Sequence, residues 1–209
     1  MNPAIARLPE LAQAAYDPTN WAIHLPESDV RAMVRSEDGE LMVAIPGTDP
    51  RDLRDDLADF ADLVRRDHPI IGVVGEGPSR RADALWTMLR ARVPPIWFLT
   101  GHSLGGAIAH DIVALSLKEN RPPSFVMTLA APLCLGTIAA GHVAVVQGVD
   151  FARHGDPVPY VPDLSWLGRP RQLTMLGERV FLPSLSYHAV AGYRALAYDW
   201  LAQYSLPIG

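Results

Sequence analysis

The chain has 209 residues, 49% of them hydrophobic and 20% charged, with 23 acidic side chains against 18 basic ones and a net charge of -5. That balance fits one folded α/β-sized domain spanning 1–209 and excludes a disordered tail or a bilayer-spanning protein. An acidic surface does not attract phosphate backbones, so nucleic acid is not an expected partner, and a single cysteine, Cys134, excludes an intrachain disulfide or a multi-thiolate metal site.

Ile5, Leu8, Leu11, Ala12 and Ala15 recur at helical spacing up to Asp17-Pro18, which predicts an opening amphipathic helix. Pro9, Glu10 and Gln13 interrupt its apolar character, so no secretory leader is expected and the protein is expected to be cytoplasmic. No apolar run approaches the roughly 18 residues of a membrane helix. Ala32 to Arg35 and Leu41 to Ile45 are predicted strands, joined through Glu37-Asp38-Gly39, whose Asp-Gly pair signals a tight hairpin. Leu53, Leu57, Phe60, Ala61 and Val64 then share one face of a charged segment, predicting a helix over Asp52 to Asp67.

Pro69 to Val74 is β-rich, Ser79 to Arg92 is helical, and Ile96 to Thr100 is a short buried strand after a Pro-Pro break. A helix from Leu104 to about Glu119 follows a glycine-rich turn. Further strands are predicted at Phe125 to Leu129, Val143 to Val146 and Val149 to His154, with a hairpin over Leu173 to Phe181 and a closing helix from about Tyr187 to Tyr204. Strands alternating with helices predict an α/β layered fold, mostly parallel, with antiparallel pairing near the hairpins.

The chemistry concentrates in Thr100-Gly101-His102-Ser103-Leu104-Gly105-Gly106-Ala107. Gly-x-Ser-x-Gly between an apolar strand and a helix is the setting of a nucleophile elbow, in which Ser103 projects from the C-terminal edge of the sheet. The bare pattern is weak; the flanking strand and helix make it strong. A serine hydroxyl attacks a carbonyl only when a base takes its proton and a carboxylate orients that base. In α/β-hydrolases these occur in the order Ser, acid, His. Asp111 and Glu119 fall on the helix leaving the elbow and cannot turn back to the sheet edge. Asp156, in His154-Gly155-Asp156-Pro157, follows a predicted strand, and His188 is the one histidine beyond it. Asp150 and Asp163 are the reserve acids, His154 and His142 the reserve bases. An acyl-transfer oxyanion needs fixed donors, and the N–H of the residue after the nucleophile, Leu104, supplies one. His102 within the elbow is accounted for by the turn alone.

Gly-His-Ser-Leu-Gly-Gly-Ala at 101–107, Ala130-Ala131-Pro132, the Asp-Pro-Val-Pro run at 156–159 and a late histidine before Tyr193 together resemble the class 3 (fungal-type) lipase family of the α/β-hydrolases. Gly47-Thr48 followed by Asp52-Leu53-Arg54-Asp55-Asp56-Leu57, and Ala12 to Tyr16, extend the resemblance over most of the chain. It implies an α/β-hydrolase fold, Ser103 as nucleophile, Asp156 as orienting acid and His188 as base. It further implies an oxyanion hole from Thr48 and the Leu104 N–H, with Asp56 holding Thr48.

Departures lie at Ile45-Pro46, at Leu53 and at Gly75-Glu76-Gly77, where the family carries other residues. The segment at the family's lid position, Asp49 to Asp67, is short and acidic, which argues against interfacial activation. The expected activity is therefore cofactor-free and metal-free hydrolysis of acylglycerols or other apolar acyl esters, small-molecule or lipid, with transient contact to a lipid surface allowed. Val158, Pro159, Tyr160 and Leu182 to Leu185 are candidate acyl-pocket walls. The alternatives are a catalytically silent binding module on the same fold, and amide or peptide hydrolysis by the same triad.

Overall fold

A computed structural model describes residues 2–48, 64–160, 167–169, 171–176 and 188–203. The predicted opening helix is α1 (Pro3–Ala14). The Asn2 side chain caps it by accepting from the Ala4 N–H at 2.7 Å, and Pro3 occupies a first-turn position that needs no donor. A short strand β1 (Ile23–Leu25), which the sequence did not signal, pairs with β2 (Val30–Glu37). β2 turns into β3 (Glu40–Ile45) through Asp38 and Gly39, at φ 51° and 81°. Two successive positive-φ residues make the tight turn whose twist matches the flanking strands, as Asp-Gly predicts.

After the undescribed stretch come β4 (Arg65–His68), β5 (Gly72–Gly75), α2 (Glu76–Leu89), β6 (Trp97–His102) and α3 (Leu104–Lys118). They are followed by β7 (Phe125–Leu129), β8 (Leu135–Gly136), α4 (Thr137–Val143), β9 (Gly148–Arg153), β10 (Leu167–Gly168), β11 (Leu173–Leu176) and α5 (Val190–Gln203). Among the described residues, seven strands form the main sheet in the order β1-β2-β3-β6-β7-β9-β11. The links from β3 to β11 are parallel and the two involving β2 antiparallel, giving the mixed, mostly parallel sheet expected.

β6 and β7 are buried along their whole length because both faces of the sheet are covered. Alternation sorts their side chains into two cores. Leu41, Val43, Trp97, Leu99 and Val126 face α2, α3 and α4, where Trp97 stacks on Trp86 with ring centroids 6.1 Å apart. Met42, Ala44, Phe98, Met127 and Phe151 face α1 and α5.

Three expectations need correction. Arg65 to Asp67 belong to strand β4, not to the end of a helix; they pair with β5 as an exposed edge, and charged side chains suit such an edge. Val64, just before β4, is exposed and not helical, and 52–63 lie outside the described residues. Val143 to Val146 is not a strand: α4 ends at Val143 and a turn leads to β9. The first arm of the predicted hairpin, β11, pairs in parallel with β9 rather than folding back, and 177–181 lie outside the described residues. A second, four-stranded antiparallel sheet, β10-β8-β5-β4, was not anticipated; β8 and β10 are two residues each.

Candidate active site

The elbow forms because two glycines allow backbone to pack on backbone. A Cβ at Gly101 would lie 2.2 Å from the Gly105 carbonyl oxygen, and one at Gly105 would lie 2.2 Å from the Ile45 carbonyl oxygen. Ser103, between β6 and α3, is held at φ 56°, ψ -130°. A serine in that region is strained, and strain of this kind persists where the surrounding structure over-determines it. Here the Ser103 N–H donates to the Leu129 carbonyl at 2.9 Å, and its carbonyl accepts from Gly106 at 2.8 Å. Leu104 opens α3, so its N–H lies at the positive end of a helix.

Thr48 is brought to the same place by Gly47. A Cβ on Gly47 would lie 2.7 Å from the Ser103 Cβ and equally close to the His102 carbonyl oxygen and the Tyr16 hydroxyl. Only glycine permits that approach, so the loop after β3 is seated on the elbow at Gly47, the residue before Thr48. Asp56, the implied holder of Thr48, lies outside the described residues.

Asp156 follows the end of β9 by three residues and is 1% exposed. Its Oδ1 accepts from the Val158 N–H at 2.9 Å, an Asx turn fixing the carboxylate in its Gly-Asp-Pro-Val loop. Its Oδ2 accepts from His188 Nδ1 at 2.9 Å and from the Tyr193 hydroxyl at 2.6 Å. With Nδ1 bound to the carboxylate, His188 presents Nε2, which is buried and has no hydrogen-bond partner among the described residues. The His188 ring lies against that of His102, centroids 4.7 Å apart, one residue from Ser103. Asp156 and His188 are thus in contact, and the His188 ring packs on His102, the residue before Ser103.

Of the reserve residues, His154 is half-buried in the turn that follows β9. Asp150 is engaged by His110 at 3.1 Å and Thr128 at 2.8 Å, and His142 is in the last turn of α4. Asp163 and Leu182 to Leu185 lie outside the described residues. Of the other candidate pocket walls, Val158 and Pro159 are buried and Tyr160 is half exposed.

Sequence reasoning missed two features. Tyr193, on the first turns of α5, donates to Asp156 and accepts from the Arg153 N–H at 2.8 Å. Burial, and then the Asp156 charge, push its phenol far above the ordinary tyrosine range, so it is a permanent donor. The signal was its place five residues after His188, little more than one helical turn. His102 is the second. Rather than merely filling the turn, its ring bonds to Tyr16 and to the His188 carbonyl. Among the described residues no group of three histidine, cysteine or acidic side chains is placed to hold a metal, and no helix is long and apolar enough to cross a membrane.

Residues 88–166, from the end of α2 through the elbow to just past the acid loop, match the family model described as Lipase (class 3). No curated protein matches the chain. Solved structures do: the Lip2 lipase of Yarrowia lipolytica superposes with a TM-score of 0.62 at 19% identity, over 88% of this chain and 80% of that one. The triacylglyceride lipase of Rhizomucor miehei gives 0.64 at 19% identity, over 84% and 79%. A triacylglycerol lipase described as having a serine protease triad as its catalytic centre gives 0.66 at 18% identity, over 85% and 80%. At these identities the likeness establishes the α/β-hydrolase fold.

Proposed function

We propose, from the match of residues 88–166 to the class 3 lipase model, that this chain is a class 3 lipase-type carboxylic ester hydrolase working through an acyl-serine intermediate. The observation that carries the proposal is the buried His188 ring, bound to Asp156 through Nδ1 at 2.9 Å while Nε2, the atom a base must present, is left without a partner among the described residues. A buried unsatisfied nitrogen is costly and calls for a reason. Proton transfer from Ser103, held at φ 56° and adjacent in the chain to the His102 ring on which His188 packs, supplies one.

His188 Nε2 takes the Ser103 proton as Oγ attacks the ester carbonyl. Hydrogen bonds of this kind tighten when substrate is bound. Asp156 holds the Nδ1–H tautomer and stabilises the imidazolium, and Tyr193 steadies Asp156 in turn. The oxyanion forms against the Leu104 N–H and Thr48, donors fixed before reaction begins. His188 then protonates the departing alcohol, and water, deprotonated by the same nitrogen, releases the acid. Likeness to two triacylglycerol lipases favours acylglycerols or similar apolar acyl esters as substrates, with transient contact at a lipid surface.

Hydrolysis of a chromogenic ester should show a burst of one alcohol per active site, and Ser103→Ala should remove burst and turnover alike by a factor of about 10⁴ or more. Folded wild-type protein without hydrolysis would leave a silent binding module. Cleavage of the matching anilide as fast as the ester would make it an amidase.

A further inference from the structure

His102 is the residue of the elbow that the triad does not use, yet it is 3% exposed and hydrogen-bonded at both ring nitrogens. Its Nε2 lies 2.8 Å from the His188 carbonyl oxygen. A carbonyl only accepts, so Nε2 carries the proton. The other nitrogen, Nδ1, lies 2.6 Å from the Tyr16 hydroxyl and in a neutral ring must accept from it. Burial first, and the neighbouring His188 second, hold the His102 imidazole well below the usual histidine range, so the ring is neutral and this direction is fixed. The Tyr16 oxygen in turn accepts from the Gly47 N–H at 3.0 Å.

The result is one directed line of hydrogen bonds: Gly47 N–H to Tyr16, Tyr16 O–H to His102, His102 N–H to His188. Its two ends are the loop that carries Thr48 and the backbone of the base. Its centre is chain-adjacent to Ser103. Tyr16 and His102 lie 86 positions apart in sequence, as do His102 and His188, so no local element enforces this alignment.

We infer that His102 and Tyr16 are positioning residues that tie the oxyanion loop at Gly47 to the backbone of His188, so that donor and base are held in register about Ser103. The inference rests on the hydrolase reading above. Neither residue reaches the substrate; both act through the geometry of groups that do, and small misplacements of such groups cost rate steeply.

The test compares Tyr16→Phe, His102→Leu and the double variant with wild type, by steady-state kinetics on a soluble ester and by the affinity of an alkyl boronic acid, which mimics the tetrahedral intermediate. Tyr16→Phe keeps the ring and removes the central link. It should lower kcat about tenfold with KM within twofold, and weaken the boronic acid by a similar factor. His102→Leu should lower kcat further, and the double variant should be no worse than His102→Leu alone, because both cut one line. Unfolding temperature is followed in parallel, and rates are taken well below it. If folded Tyr16→Phe retains kcat and boronic acid affinity within twofold, the line positions nothing and the inference is overturned. If the effects of the two substitutions simply add, the two residues act separately and it is overturned as well. Should His102→Leu fail to fold, Tyr16→Phe alone decides by the same twofold criterion. A wild type that hydrolyses no ester and binds no boronic acid overturns the hydrolase reading itself, a result distinct from all of these.

Discussion

Among the described residues, two histidine–aspartate pairs have both partners buried, and they are put to different uses. His188–Asp156, at the sheet's C-terminal rim, bonds through Nδ1 at 2.9 Å and leaves the distal nitrogen unused. His110–Asp150, between α3 and β9, bonds through Nε2 at 3.1 Å; Asp150 Oδ1 also takes the Thr128 hydroxyl, with the Arg171 guanidinium 3.6 Å away. Burial alone would raise the Asp150 carboxyl, but His110, Arg171 and the Thr128 hydroxyl hold it down to about 2. Arg171 further donates to the Val146 carbonyl at 2.6 Å, tying the turn after α4 to this cluster. On the proposed reading, the same two side chains make a tool where a ring nitrogen is left unpartnered, and a brace where the carboxylate's partners are all structural.

The sharpest way to break the comparison is to treat both histidines alike. His188→Gln should lower kcat by about 10³-fold or more while leaving the unfolding temperature within a few degrees. His110→Gln should lower the unfolding temperature by several degrees and leave kcat within about threefold. Paired assays of turnover and thermal unfolding check both; an equal loss of turnover in the two variants would erase the distinction.

The braced carboxylate gives a smaller effect with a pH signature. Asp150 titrates lower in the folded chain than its ordinary value of 3.8, so its stabilisation is complete above that value and is lost as pH falls toward about 2. Asp150→Asn should therefore cost on the order of 2 kcal/mol near neutral pH, with the deficit closing below about pH 4. Denaturant unfolding across that range reads the effect, and a deficit independent of pH would contradict it.

Asp111, on the same helix as His110, sharpens the contrast because it lacks a charged partner at hydrogen-bond distance among the described residues. Burial first, and then the Asp83 charge, push its carboxyl well above the usual range. A raised carboxyl stabilises fully below its unfolded value and progressively less as pH rises. Asp111→Asn should therefore raise the unfolding temperature by a few degrees at pH 8 and not at pH 4, as differential scanning calorimetry would show.

How much of this was legible follows from what each residue's neighbours demand. Ser103 was readable because a strand-to-helix turn this tight needs Gly101 and Gly105, a constraint visible in five consecutive residues. Asp156 and His188 were singled out by chain order, and each has a local cause for its position, an Asx turn in one case and a short lead into α5 in the other. Tyr16, His102 and Tyr193 were not readable as a network, because hydrogen bonds between side chains 37 or 86 positions apart leave no periodicity. The misread elements were short ones. Val143 to Val146 is an apolar run of four, too short for spacing to separate a helix end and turn from a strand. β4 is a charged edge strand whose Arg65-Arg66-Asp67 continued the helical pattern before it. The two-residue strands of the second sheet owe their pairing to tertiary contact alone.

The most direct test of the central claim is the rate at which a fluorophosphonate labels the folded protein, followed by intact mass and by mapping of the modified peptide. A single adduct on Ser103, slowed at least a hundredfold by His188→Gln and unchanged by His110→Gln, is the predicted result. Labelling elsewhere, or at the same rate in both histidine variants, would contradict it.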